Sequence, residues 1–515
     1  MDDWSHGYDV SVGYTYGFCP EMAPDWLDLC ARVAGYAPRA RGPSASFRYL
    51  ELGAGQGMGL CLLAAANPGG EFVGVDFQPE HIAHAQGVAE AAGLTNIRFS
   101  RTDLVDLAAA WPEDFGAFDY VALHGVYSWV SPKVREAILR CLSHAMRPGG
   151  LVYNGYNTQP GWLGTMPFQH ISRLLKETTG KPGGAVFEDS IALFDRLRDG
   201  GADTFKILPG LKSRLETVRT RNTNYLVHEY LHESWRPLWH SEVAREMARA
   251  DLDYIGSATA AETLLPDVLP PPLRDAIVEQ GDNGLRQDLQ DFVINQFFRR
   301  DIFCRGSRGR VDREIAALAR TRLHLTSPPG AGDALDVKAT FGEITLQRPA
   351  FAQIVDALGG GPKSVEELAA LPDMRRQGMA NALQILLLLL HARTLAVGAA
   401  DPGAAEVAQR LNRVIARAAS EGLPYDHVAS SMLGSAVAVT DVDLMLLDAW
   451  FASPGRADVA TLAKGVADRL ARLGRTLQHD GKPLEGAGAQ RRLTALATAF
   501  LDQGLPRWRR LGALL

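Results

Sequence analysis

An apolar run that breaks into three alternate glycines, Phe47-Arg-Tyr-Leu-Glu-Leu-Gly-Ala-Gly-Gln-Gly57, limits the folds open to this chain more than any other segment. A short strand predicted over 47–52 ends at Gly53. Glycine at 53, 55 and 57 lets the turn take positive φ and lets a ligand press against the backbone. A small-residue helix predicted over 57–66 follows, so its first amides face whatever the turn holds. The spacing excludes two phosphate-binding loops. A dinucleotide fingerprint needs G-x-G-x-x-G, and with Met58 in place neither register satisfies it; a P-loop needs a terminal Lys-Ser/Thr that is absent.

Around this turn, strand and helix alternate. Strands are predicted at 72–77, 96–100, 118–123 and 151–154, with helices at 79–92 and 132–146 and a turn at Arg147-Pro-Gly-Gly150. Alternation at this spacing means a parallel sheet wound on both faces. From Trp162 to about Tyr230 the pattern turns helical. A helix at 241–250, a strand at 254–257 and a strand within 296–305 then resume the sheet. Residues 162–235 therefore read as an excursion lying over the ligand crevice as a lid.

Two carboxylates stand where such a sheet presents ligand-binding groups. Asp76 closes the second strand, 19 residues beyond Gly57, and can accept hydrogen bonds from ribose hydroxyls. Asp103 follows the third strand and can accept from an adenine amino group. Each, taken singly, also reads as a helix-capping aspartate. Together, in this order on consecutive turns, they resemble the class I S-adenosylmethionine-dependent methyltransferases. The resemblance implies that Glu51, Gly53, Gly55 and Gly57 hold the methionine part of S-adenosyl-L-methionine. It implies ribose and adenine contacts from Asp76 with Phe77 and from Asp103 with Leu104. It also implies a cofactor-covering role for the opening segment at Tyr16 and a place for His124 beside the cofactor.

Further motifs narrow the likeness: His124-Gly-Val-Tyr-Ser-Trp129, Tyr225-Leu-Val-His-Glu-Tyr230 and Asp291-Phe through Phe298-Arg-Arg-Asp-Ile-Phe-Cys-Arg-Gly306. They are similar to bacterial methyltransferases carrying a regulatory domain, whose characterised members methylate lysines of outer-membrane proteins. That resemblance implies a lysine-bearing protein as acceptor. A lysine arrives as an ammonium and must lose a proton before in-line attack on the methyl. His124, Tyr127, His228 and Glu229 are the candidate catalytic residues. Tyr127 and Trp129, with Tyr153, Tyr156 and Trp162, are candidates to line a slot for an apolar stem and a cation. Packing is the alternative for each. Arg299 and Arg300 read as structural partners of the last strand rather than substrate ligands.

The rest of the chain bounds these readings. Its 515 residues suggest several domains: a methyltransferase domain over 1–310, a winged-helix-like module over 311–400 and a helical region over 401–515. The fold class is α/β, a Rossmann-like methyltransferase sheet with a helical insertion. Lys363, Arg375, Arg376 and Arg393 are matched by Asp356, Glu366, Glu367 and Asp373, so the module's charge does not suit nucleic acid, and its Ile385–Leu390 run wants burial. Five scattered cysteines without a C-x-x-C pair suggest a reducing compartment, and clustered His228, His232 and His240 lack metal-ligand spacing. The N-terminus lacks the pattern of a signal peptide, and no apolar run nears the roughly 18–20 residues of a membrane span. A cytoplasmic location is expected, and a homodimer is left open. Two alternatives to protein-lysine methylation stand: a small-molecule N- or O-methyltransferase of secondary metabolism, and a non-catalytic cofactor-binding regulator.

Overall fold

The computed structural model describes residues 16–39, 46–219, 226, 230–306, 311–330, 332–398, 402–453, 457–479 and 482–515. Helix α1 (Pro24–Val33) precedes the alternation β1 (Phe47–Leu52), α2 (Met58–Ala66), β2 (Gly70–Asp76), α3 (Pro79–Ala92), β3 (Ile97–Arg101), α4 (Leu104–Ala109), β4 (Phe118–His124), α5 (Pro132–Ala145) and β5 (Met146–Asn157). With β6 (Leu252–Ser257) and β7 (Phe298–Arg305), these strands form one seven-stranded sheet in the order β3-β2-β1-β4-β5-β7-β6. Strands β1, β2 and β3 pair in parallel, as do β4 and β5, while β7 runs antiparallel to both β5 and β6. Leu50, Leu52, Val75, Val121 and Leu123 are fully buried. These strands are apolar on successive residues because both faces of a parallel sheet are covered.

The expected turn at 147–150 is instead drawn into β5, which begins at Met146, and the β4–β5 register slips between Phe118 and Tyr120. A bulge of this kind absorbs the Pro-Gly-Gly sequence without ending the strand.

Two compact units divide the chain. One comprises residues 16–101 with 309–339 and 343–515; the other is built from 102–308. In the first, α2 and α3 share a single hydrophobic core with the C-terminal region. Cys61, Leu62, Ala65 and Val88 pack with Leu411, Ile415, Val428 and Leu444 of the helices Ala405–Ser420 and Asp441–Ala452 and the strand between them. This explains why α2 is apolar around most of its circumference. The module between holds β8 (Arg322–Leu325), β9 (Ala334–Ala339), β10 (Gly342–Gln347), β11 (Lys363–Ser364) and β12 (Leu395–Val397), with β11-β8-β12 forming a small sheet. Its helix Met379–His391 buries Ile385, Leu386, Leu388, Leu389 and Leu390. The C-terminal region is mainly helical, as expected, and also contains a hairpin of β13 (His427–Ser430) and β14 (Ser435–Ala438). Asn412 pins it, exchanging hydrogen bonds with both backbone groups of Ala429 at 2.7 and 2.9 Å.

In the second unit, helices Met166–Thr179, Gly183–Asp199 and Pro209–Val218 enclose a core of their own around Phe168, whose ring meets Phe187, Phe194 and Tyr230. Among the described residues no helix is long and apolar enough to cross a membrane.

Candidate functional site

Gly53, Gly55 and Gly57 have φ of 79°, 53° and 70°, in the region where glycine carries no steric penalty. Gly57 is further constrained: a Cβ there would lie 2.3 Å from Cβ of Ala85 on α3. Asp76 ties this turn down. Its Oδ2 accepts from the Gly55 amide at 2.9 Å and its Oδ1 from the Gln78 amide at 2.9 Å, with His81 Nδ1 3.2 Å from the same Oδ1. Asp76 thus both shapes the loop and stands at the carboxyl end of β2, where the sequence placed a ribose acceptor.

Glu51, one strand over, is also buried. Burial, reinforced by the negative charge of Asp76, pushes its carboxyl up to about 8. Below the ordinary carboxylate range both folded and unfolded chains hold this proton. As pH rises toward 8 the unfolded chain loses it first, so the stability contributed by protonated Glu51 is lost over that window. Glu51→Gln is therefore expected to melt close to wild type at pH about 5 and above it at pH about 8.5. A melting difference that does not grow with pH counts against a protonated Glu51.

The opening segment lies along the same turn. A Cβ on Gly59 would sit 3.5 Å from the Phe18 ring, and the Tyr16 ring lies 5.0 Å from that of His84 on α3. Phe77 is half-buried directly after Asp76.

In the other unit, Asp103 caps α4, its Oδ1 accepting from Val105 N at 2.7 Å, and Leu104 is the first residue of that helix. His124 ends β4, half-buried, with Nδ1 2.8 Å from the Tyr153 hydroxyl and the Phe298 ring edge-on at 5.4 Å. Gly155, opposite His124 in the sheet, makes room for this group: a Cβ there would approach His124 Nδ1 to 2.9 Å and Phe298 to 3.0 Å.

Other candidates are engaged elsewhere. Tyr127 is fully buried and its hydroxyl donates to Glu246, which makes it a packed core residue rather than the wall of an open slot. Tyr156 donates to Asp301 at 2.6 Å. Trp162 donates to the Phe297 carbonyl and already carries a cation from this chain, the Arg214 guanidinium 4.4 Å above its ring. Trp129 is half-buried with its ring against His232. His228 and Glu229 lie outside the described residues.

Arg299 proves structural, at the centre of a buried network that the sequence hinted at only through its arginines. Its guanidinium bonds Asp291 at 2.6 Å, Asp301 at 2.8 Å, Gln287 at 2.8 Å and the Tyr254 hydroxyl at 3.1 Å. Asp301 also accepts from Tyr156 and faces His240 Nδ1 at 2.9 Å. Burial alone would raise the Asp301 carboxyl, but Arg299 and His240 outweigh it and hold it near 2.

A parallel sheet closed by an antiparallel β7 between β5 and β6, with a glycine turn after β1 and carboxylates after β2 and β3, is the class I arrangement of S-adenosylmethionine-dependent methyltransferases. The comparisons agree. A family model described as a methyltransferase domain matches residues 50–152, and one described as a predicted methyltransferase regulatory domain matches 222–305. The latter stretch takes in β6 and β7 as well as the end of the helical excursion. The uncharacterized protein sll1526 of Synechocystis sp. is 29% identical over 522 residues, 99% of each chain. A demethylmenaquinone methyltransferase of Thermus thermophilus is 35% identical over 123 residues, 21% of this chain and 54% of that one. In fold, the chain is similar to PKMT2 from Rickettsia typhi in complex with AdoHcy, with TM-score 0.70 at 17% identity over 96% of this chain and 99% of that one. The chain is an S-adenosylmethionine-dependent methyltransferase with a methyltransferase regulatory domain.

Proposed function

We propose that this methyltransferase acts on a lysine nitrogen of a protein. The observation that carries the reading is the extent of its likeness to PKMT2, by its name a protein lysine methyltransferase, which takes in the C-terminal modules as well as the sheet. Modules beyond a minimal methyltransferase domain suit a large acceptor that needs docking surface.

The cofactor would supply a methyl group on a sulfonium, an electrophile that needs no further activation. The residues present suit it. Gly53 and Gly55 would present backbone to the methionine part, with Gly57 closing the turn against α3, and Glu51 offers a buried carboxyl that a nearby cation would draw into its ionised form. Asp76 with Phe77 would hold the ribose, Asp103 with Leu104 the adenine, and Tyr16 would cover the loop. The acceptor nitrogen needs a lone pair. In the tautomer with Nδ1–H donating to Tyr153, the His124 ring keeps a lone pair on Nε2 and can take the proton from a lysine ammonium. His124→Ala is then expected to slow methyl transfer by about 10²–10⁴-fold while S-adenosylhomocysteine affinity stays within about threefold. Wild-type turnover in that variant removes His124 from the mechanism.

The test of the acceptor class is transfer of radiolabelled methyl from S-adenosylmethionine into cell extract, separated into protein and small-molecule pools. Label recovered as methyl-lysine from a protein band supports the proposal. Label confined to small molecules overturns it in favour of a metabolic enzyme, and no label in the presence of cofactor binding points to a non-catalytic regulator.

A further inference from the structure

A residue of the C-terminal region reaches back to the glycine turn. His84, on α3, sets Nδ1 2.7 Å from the carbonyl oxygen of Gln56 and Nε2 2.7 Å from the hydroxyl of Tyr425, just before β13. A carbonyl can only accept, so Nδ1 carries a proton; in the neutral ring, favoured here by burial, Nε2 accepts from Tyr425. The ring of Tyr16 closes the group, 5.0 Å from His84 and edge-on to Tyr425 at 5.5 Å.

Gln56 is the residue between Gly55 and Gly57. Holding its carbonyl fixes the plane of the Gln56–Gly57 peptide, whose N–H donates to Ala54 at 3.0 Å inside the same turn. A turn with three glycines at positive φ has little stiffness of its own and needs ties from outside. Asp76 supplies one from the β2 side through Gly55. The chain Tyr425–His84–Gln56 supplies one from the opposite end, and its far anchor lies 341 residues from His84 in sequence.

We propose that Tyr425 is a positioning residue for the cofactor site: through His84 it orients the Gln56 carbonyl and holds the glycine turn in the shape that accepts the cofactor. The inference rests on the reading of that turn as the cofactor site. By linkage, the factor by which the formed Tyr425–His84 contact tightens cofactor binding is also the factor by which bound cofactor favours that contact. The C-terminal region thereby has a direct mechanical connection to cofactor affinity.

The experiment is calorimetric titration of S-adenosylhomocysteine into the full chain and its variants. Tyr425→Phe keeps the ring packing and removes only the hydroxyl; it is expected to weaken binding by about 3–10-fold. His84→Ala should weaken it at least as much, with the double variant no weaker than His84→Ala alone. His84→Gln, which restores an N–H donor for the Gln56 carbonyl, should recover part of the loss. A hydroxyl that merely stabilises the fold would lower the melting temperature and leave the affinity unchanged. That result in Tyr425→Phe, with Asp76→Ala still weakened, overturns the relay and leaves the cofactor turn standing. Wild-type affinity in Asp76→Ala removes the turn itself as the site, and the relay with it.

Discussion

Arg299→Met is expected to destabilise the protein by about 3–5 kcal/mol, the range found when one partner of a buried ion pair is removed. The side chain is buried, as are Asp291 and Asp301, so neither carboxylate can turn to solvent for replacement hydrogen bonds. Asp301 loses its principal counter-charge while still holding Tyr156 and His240. A loss of that size is a large fraction of the stability of an ordinary domain, about 5–15 kcal/mol. Chemical denaturation monitored by circular dichroism reads the effect directly. Arg299→Lys separates charge from geometry: it keeps the cation but not the fork that reaches four partners, and an intermediate loss is expected. A midpoint for Arg299→Met equal to wild type would mean that the network contributes nothing net.

Asp76→Ala is expected to raise the dissociation constant for S-adenosylhomocysteine by about one to two orders of magnitude, the worth of one or two charge-assisted hydrogen bonds. Two losses combine. The first is the carboxylate offered to ligand hydroxyls; the second is the anchor on the Gly55 and Gln78 amides, which leaves the turn without its β2-side support. Asp76→Asn retains one acceptor oxygen and should fall between. Calorimetry at one pH suffices, and an affinity indistinguishable from wild type would remove Asp76 from the cofactor site.

The shape of the candidate cofactor turn was legible because its requirements are local. A turn that needs positive φ must show glycine, and a carboxylate that ends a strand shows as an acid after an apolar run, so Gly53 to Gly57 and Asp76 stand out in the one-dimensional pattern. The surroundings of the candidate slot aromatics were not legible. Whether an aromatic lines a slot or fills a core depends on partners far along the chain: Glu246 takes Tyr127, Asp301 takes Tyr156 and Arg214 takes Trp162. The β13–β14 hairpin escaped for a different reason. Its strands are rich in alanine and serine, poor strand formers, and are held by the side chain of Asn412 rather than by intrinsic preference. The Tyr425–His84 contact had no sequence signal either, since nothing near either residue marks the other.

The core shared by α2, α3 and the C-terminal helices has a consequence during synthesis. The first strands and the glycine turn leave the ribosome long before the residues that cover them; Asn67, whose side-chain amide donates to the Gly434 carbonyl, waits for a partner 367 residues later. At ordinary rates of translation that interval is roughly 20–70 s. Throughout it the face of α2 that meets the C-terminal helices stays uncovered, which makes the nascent chain a natural client for chaperones. A message broken after Gly306 would yield a product that retains the glycine turn, Asp76 and Asp103 and still lacks the C-terminal part of the core on which α2 and α3 pack.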